Sequence, residues 1–180
     1  FMDSFGWQKQ LASNVLSWWA IGMIVGCPLN GYFSDKILYS RKKVVLTGSI
    51  MYTLGWLYLW FNPAGWSPTA MSAWCFFMGA FGGAYITNYP HISERLPRSV
   101  AGTAIGTFNL FYFVGGAIFQ QVMGAILDGY GKVGGKFPLE AYVSTFELIA
   151  IGSIIGSIAL IFTKESAIRP EEQGQFASSH

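Results

Sequence analysis

Residues 31–43 read GYFSDKILYSRKK. Gly31 stands four positions before Asp35, Lys36 follows at once, and Arg41, Lys42 and Lys43 close the stretch. On both sides the charge disappears: no residue is charged between Lys9 and Asp35, and none from Val44 to Ser93. A short charged stretch between two long uncharged runs reads as a loop between membrane-spanning helices. Such a helix needs about 20 mainly apolar residues, and a charge inside the bilayer is costly.

The composition agrees. Of 180 residues, 52% are hydrophobic, 17% aromatic and only 11% charged, and the mean hydropathy is +0.40. A soluble domain is about 25% charged, so the charge deficit points to lipid more firmly than the hydrophobic fraction does. A net charge of +2, with basic residues that form no face, argues against a nucleic-acid partner. Cys27 and Cys75 are isolated in apolar runs, without metal spacing or a disulfide framework, and read as packing residues. No metal or cofactor is expected. The chain opens at Phe1 without the basic segment of a signal peptide, and reads as a fragment or as the ordered part of a longer chain.

Working outward, the uncharged runs divide into five spans of an all-α membrane bundle: about 10–33, 44–61, 69–90, 101–127 and 142–163. The turn NPAGWSP at 62–68 separates the second from the third. Lys36, Arg41, Lys42, Lys43, Arg95, Arg98, Lys164 and Arg169 fall on one side, against Lys9, Lys132 and Lys136 on the other. The richer side is expected in the cytoplasm, which puts the start outside and the polar tail, 164–180, inside and disordered. Small-residue pairs (Gly22 and Gly26, Gly79 and Gly83, Gly102 and Gly106, Gly152 and Gly156) predict close helix packing.

Two readings of Asp35 stand. A carboxylate at a helix C-terminus is unfavourable for its own macrodipole, and the helix start near residues 100–103, just after Arg98, would stabilise it. Gly31 would then let that helix come close. In the other reading Asp35 is a solvated loop residue, and the basic residues only set topology.

The skeleton Gly31, Asp35, Lys36, Arg41, Lys42 resembles the loop signature of the major facilitator superfamily, G-x-x-x-D-[RK]-x-G-[RK]-[RK]. Two extra residues precede the basic cluster here, and the second glycine is missing. ERLPRSVAGTAIGTFN, at 94–109, resembles the loop entering the fifth helix of a half in that family. The resemblance implies that residues 1–163 are the C-terminal half of a secondary carrier, helices eight to twelve. It further implies a missing N-terminal half as partner, alternating access, and a bacterial inner-membrane location. The implied activity is that of a permease or symporter for a small organic solute, with a proton or other coupling ion. The Gly31, Asp35, Lys36, Arg41, Lys42 loop would latch onto Arg98 and Gly102 on the cytoplasmic side.

In the family the first, third and fourth of these spans would line the cavity, and the second and fifth would be peripheral. The residues fit: stripes at helical spacing carry Asn14 and Trp18 on the first, Trp74, Tyr85 and Asn88 on the third, and Asn109, Tyr112 and Gln120 on the fourth. Aromatic rings with amides suit a small organic solute. The same residue types also form interfacial belts and interhelical bonds, and both readings stay open. No carboxylate lies mid-span, Glu147 being the local candidate for proton coupling, so a coupling group would belong to the other half or to the missing seventh helix. No hydrolase, metalloprotease or nucleotide motif appears, so an enzyme is not expected; His91, after Pro90, reads as interfacial. A non-transporting scaffold or sensor that kept the carrier fold is the alternative.

Overall fold

The computed structural model describes residues 6–165, and all of its named elements are helices. Helix α1 runs Lys9–Tyr32 and passes into a π-helical turn, Phe33–Ile37. Helix α2 is Arg41–Phe61, and α3 is Pro68–Gly82. A 3-10 turn, Gly83–Thr87, leads into the short α4, Asn88–Ser93. Helices α5, Arg98–Tyr130, and α6, Leu139–Ile161, complete the chain. Four stretches are long and apolar enough to cross a membrane: Lys9–Ile37, Arg41–Phe61, Arg98–Tyr130 and Leu139–Ile161. The expected third span, 69–90, is there a broken one. Gly82 and Gly83 favour the α-helix least, and Pro90 lacks the N–H that would continue the ladder. The tail falls outside the described residues from position 166 onward.

Local chemistry sets the boundaries. Ser40 caps α2 by accepting from the Lys43 N–H at 3.0 Å, and Ser67 caps α3 by accepting from Ala70 at 3.2 Å. Pro68 opens α3, where its missing N–H costs nothing. Pro97 and Pro138 stand immediately before α5 and α6. Helix α5 ends at Gly131, whose φ of +69° suits glycine.

The tightest packing joins α1 to α3. At Gly22 an added Cβ would strike the Phe76 carbonyl, at Gly26 Ala80, and at Gly79 the Trp19 carbonyl. The two backbones therefore touch through glycine, as the first two small-residue pairs predict. Asn30 pins the contact by donating to Gly26 O at 2.7 Å and to Ala80 O at 2.9 Å. Gly48 similarly lets α2 approach Ala84 of the 3-10 turn. Helices α2 and α6 are joined by hydroxyls: Ser49 and Ser157 lie 2.7 Å apart, and Thr53 and Ser157 3.1 Å.

The core gathers Val15, Leu59, Met71 and Cys75, ringed by Trp7, Trp19, Trp56, Trp66, Trp74 and Phe146. Trp56 and Trp74 meet edge to face, 5.3 Å between centroids. Cys75 is fully buried there and Cys27 half-buried, both as free thiols. Helix α5 differs: it has no buried residue, and Phe111 and Phe113 are each 71% exposed. Built Cβ atoms at Gly102 and Gly106 meet open space, so that pair makes no close packing here. Gly152 would meet the Phe119 ring, whereas Gly156 is open.

Candidate functional site

Two groupings of polar side chains stand out, one at the loop end of the bundle and one within it. At the loop end, the π turn carries Asp35, and Tyr39, with φ 47°, turns the chain sharply into the Ser40 cap. This brings Arg41, the first residue of α2, back over the turn. Its guanidinium is buried and pairs with Asp35, and it donates to Ser34 Oγ at 3.0 Å. The same group reaches Glu94, Nη2 to Oε1 at 2.8 Å and Nε to Oε2 at 3.4 Å. A planar fork bridging two carboxylates uses what arginine offers and lysine lacks.

The expected contact between Asp35 and the start of α5 is therefore replaced. No hydrogen bond or ion pair links Asp35 to residues 98–103 among the described residues. The two extra loop residues explain the change. They give the chain room to fold Arg41 onto Asp35, so the carboxylate finds a full cation instead of a helix dipole. Gly31 meets open space, Arg98 is exposed at the first turn of α5, and Lys36 is exposed. Glu94 was the partner not anticipated, although it opens the ERLPR stretch that carries the family resemblance.

Lys42 turns the other way. Its Nζ donates to Ile161 O at 2.6 Å and Thr163 O at 2.5 Å, satisfying carbonyls at the end of α6. Ser40 Oγ donates to Glu165 Oε2 at 2.5 Å, and Arg95 donates to Lys164 O at 2.7 Å. The loop, the segment after α4 and the end of α6 thus meet at one end. His91 beside them is held below the usual imidazole range, by burial first and then by Arg95.

Within the bundle lies a cavity of about 310 Å³. Tyr85, Asn88 and Tyr112 line it together. The Tyr85 and Tyr112 rings stack at 5.0 Å and 12°, tying the 3-10 turn to α5. Asn88 donates its amide N–H to Tyr85 O at 2.9 Å. Asn109 sits behind this wall, accepting from the Tyr89 hydroxyl at 2.5 Å. Asn14 and Trp18 line a different cleft, about 560 Å³, between α1 and α3 with Ser72 and Phe76. Gln120 is exposed on α5. Trp74 is placed in the aromatic core, donating to Gly55 O at 3.1 Å. Its indole packs better against Trp19 and Trp56 than it would against an open cavity.

Helices expected to be peripheral also contribute. Ser49 and Tyr52 of α2 and Leu160 of α6 line the 310 Å³ cavity. Their signal in the sequence was faint: Ser49 and Tyr52 lie one helical turn apart on a span that also carries Thr47, Thr53 and Tyr58. Among the described residues no group of three or more His, Cys, Asp or Glu could hold a metal ion.

Curated proteins give no match to this sequence. Long apolar helices mark an integral membrane protein. A family model covers residues 1–178, and with the charged loop end, the glycine-packed helices and the internal cavity already described, it establishes that the chain belongs to the Major Facilitator Superfamily, a family of membrane transporters.

Proposed function

We propose that this chain is the C-terminal half, helices eight to twelve, of a secondary active carrier. The carrier moves a small organic solute across a bacterial inner membrane by alternating access, in which two halves rock about a site between them. The observation that carries the reading is the cavity where a broken helix and α5 present Tyr85, Asn88 and Tyr112 together. A 3-10 interruption of a span is accommodated at membrane depth where it is buried in protein or lines a cavity, as Gly83–Thr87 does beside this one. The segregation of Lys and Arg supports a cytoplasmic loop end, with the start of the chain outside.

In this scheme the Arg41 bridge to Asp35 and Glu94 is a latch, closed in one state and open in the other. Asp35→Asn would shift both the uptake rate and the balance of inward and outward states. If neither moves, the latch idea is wrong. The transport reading is tested on the full-length protein: a thermal-shift screen finds solutes that stabilise it, and proteoliposomes then report whether a hit is carried. A ligand that stabilises yet never crosses would favour a sensor instead.

A further inference from the structure

We infer that the groove between α2 and α6 is a binding site for one anionic glycerophospholipid, whose acyl chain lies in the groove and whose phosphate meets the lysines at its loop end. The groove shares no lining residue with the 310 Å³ cavity. Its occupancy rests on the membrane class of the protein, not on the carrier reading.

Leu46, Ile50 and Leu54 of α2 form one wall, and Ile154, Ile158 and Ile161 of α6 the other, around about 200 Å³. Two hydroxyls join the lining, Thr53 and Ser157. They lie 3.1 Å apart, and Ser157 also meets Ser49 at 2.7 Å. With those hydroxyls spent on one another, the groove offers aliphatic surface to whatever fills it. From Leu46 to Leu54 it climbs about 12 Å along α2, close to the depth of one hydrocarbon leaflet, about 15 Å. An acyl chain matches both the length and the chemistry. Every lipid tail is equally apolar, however, so the choice of lipid falls to the head group.

Charge makes that choice. Lys42 and Lys43 stand four and three residues before Leu46, so helical spacing puts both on the groove face of α2. Lys42 Nζ lies across the end of α6, donating to Ile161 O at 2.6 Å and Thr163 O at 2.5 Å, and Ile161 is itself a groove residue. An ammonium has three donors, so one remains. Lys43 is exposed, as is Lys164, three residues beyond Ile161, and neither ammonium is paired among the described residues. Glu165 is committed to Ser40 Oγ and the Lys42 amide. The mouth of the groove therefore carries three ammoniums against one carboxylate, and a phosphodiester supplies the missing negative charge. Basic pockets between membrane helices take anionic head groups for this reason.

Palmitoyl-oleoyl phosphatidylglycerol titrated into the full-length protein in a non-ionic detergent, with native mass spectrometry counting the bound fraction, tests the site. It should bind saturably and about twentyfold tighter than phosphatidylcholine of the same chains, about fivefold for each unpaired lysine. Lysophosphatidylglycerol, with one chain, should keep most of that affinity, and glycerol phosphate, with none, should not compete. Lys43→Gln should weaken phosphatidylglycerol about fivefold and leave phosphatidylcholine unchanged, a pattern that a misfolded variant cannot mimic. Lys43→Arg should restore the affinity. Ile50→Trp, which fills the groove, should weaken binding at least about tenfold. Ile155→Trp, 63% exposed on α6 outside the groove, should change nothing. Equal binding of the two diacyl lipids, or undiminished binding in both Lys43→Gln and Ile50→Trp, overturns the inference and leaves ordinary boundary lipid. Competition by glycerol phosphate at lipid-like affinity also overturns it, leaving a bare anion site.

Discussion

Helices α1 and α3 touch backbone to backbone, whereas α5 is held by side-chain tips. In the first pair Gly22, Gly26 and Gly79 face carbonyls and Cα atoms with no room for a methyl group. Along α5 the links are the Tyr85–Tyr112 stack, the Tyr89–Asn109 bond, Phe119 over Gly152, and Tyr130 against Ser144 at 2.8 Å. Both regions are glycine-rich in sequence, so glycine content alone does not define a packed helix. What separates them is whether a second backbone lies opposite.

The sharpest way to break the comparison is to make one substitution in both regions. Gly79→Ala should destabilise by about 2–4 kcal/mol, because the new methyl meets the Trp19 carbonyl backbone and neither helix can yield alone. Gly106→Ala should instead stabilise by about 0.5–1 kcal/mol, since its Cβ meets nothing and alanine is the better helix former. Unfolding titrations in mixed micelles check both signs. A loss at Gly106 would mean that α5 is covered by a part of the protein outside the described residues.

Next in size is the hub of the loop end. Arg41→Gln leaves Asp35 and Glu94 facing each other without their cation. With Glu94 29% and Asp35 46% exposed, solvent screens part of the loss, and about 1–3 kcal/mol is expected. The same titration measures it, and an unchanged midpoint would show that this network does not hold α2 to the segment after α4. Asn109→Ala removes one neutral bond to Tyr89 and should cost about 1 kcal/mol, with Tyr89→Phe costing the same and the double variant no more.

The smallest effect is a pH dependence. The folded pKa of His91 lies below its unfolded value, by burial first and the Arg95 charge second, with Arg41 acting in the same sense and Glu94 and Glu165 opposing. The neutral form is therefore the one the fold favours. Its contribution is complete above the unfolded value of about 6.5 and is lost as pH falls from there through the folded value. Stability should decline modestly as pH falls below about 6.5, and the decline attributable to this residue should vanish in His91→Gln.

Much of this architecture was legible because membrane insertion writes itself into composition. Uncharged runs flanked by Lys and Arg gave the helices and their ends, and the break at 62–68 carried its own proline and glycine. The break inside 69–90 was harder, because Gly82 and Gly83 are equally at home in a helix packed closely on another. The site was half legible. Tyr85, Asn88 and Tyr112 share faces that spacing can find, but Trp74 obeys the same spacing and packs into the core. Period 3.6 says which side chains lie together and not what lies opposite them.

From the sequence alone follow the membrane class, the helix count within one interrupted span, the charged end and the family. Each depends on properties of single residues summed along a run: hydropathy, charge and turn chemistry. The partner of Asp35, the union of α2 and α6 with the cavity wall, and the contrast between α1–α3 and α5 came only with the tertiary structure. Those depend on which groups, distant in the chain, arrive within a few ångströms of each other. Arg41 is six residues from Asp35 and 53 from Glu94, and only the folded turn decides that one guanidinium serves both.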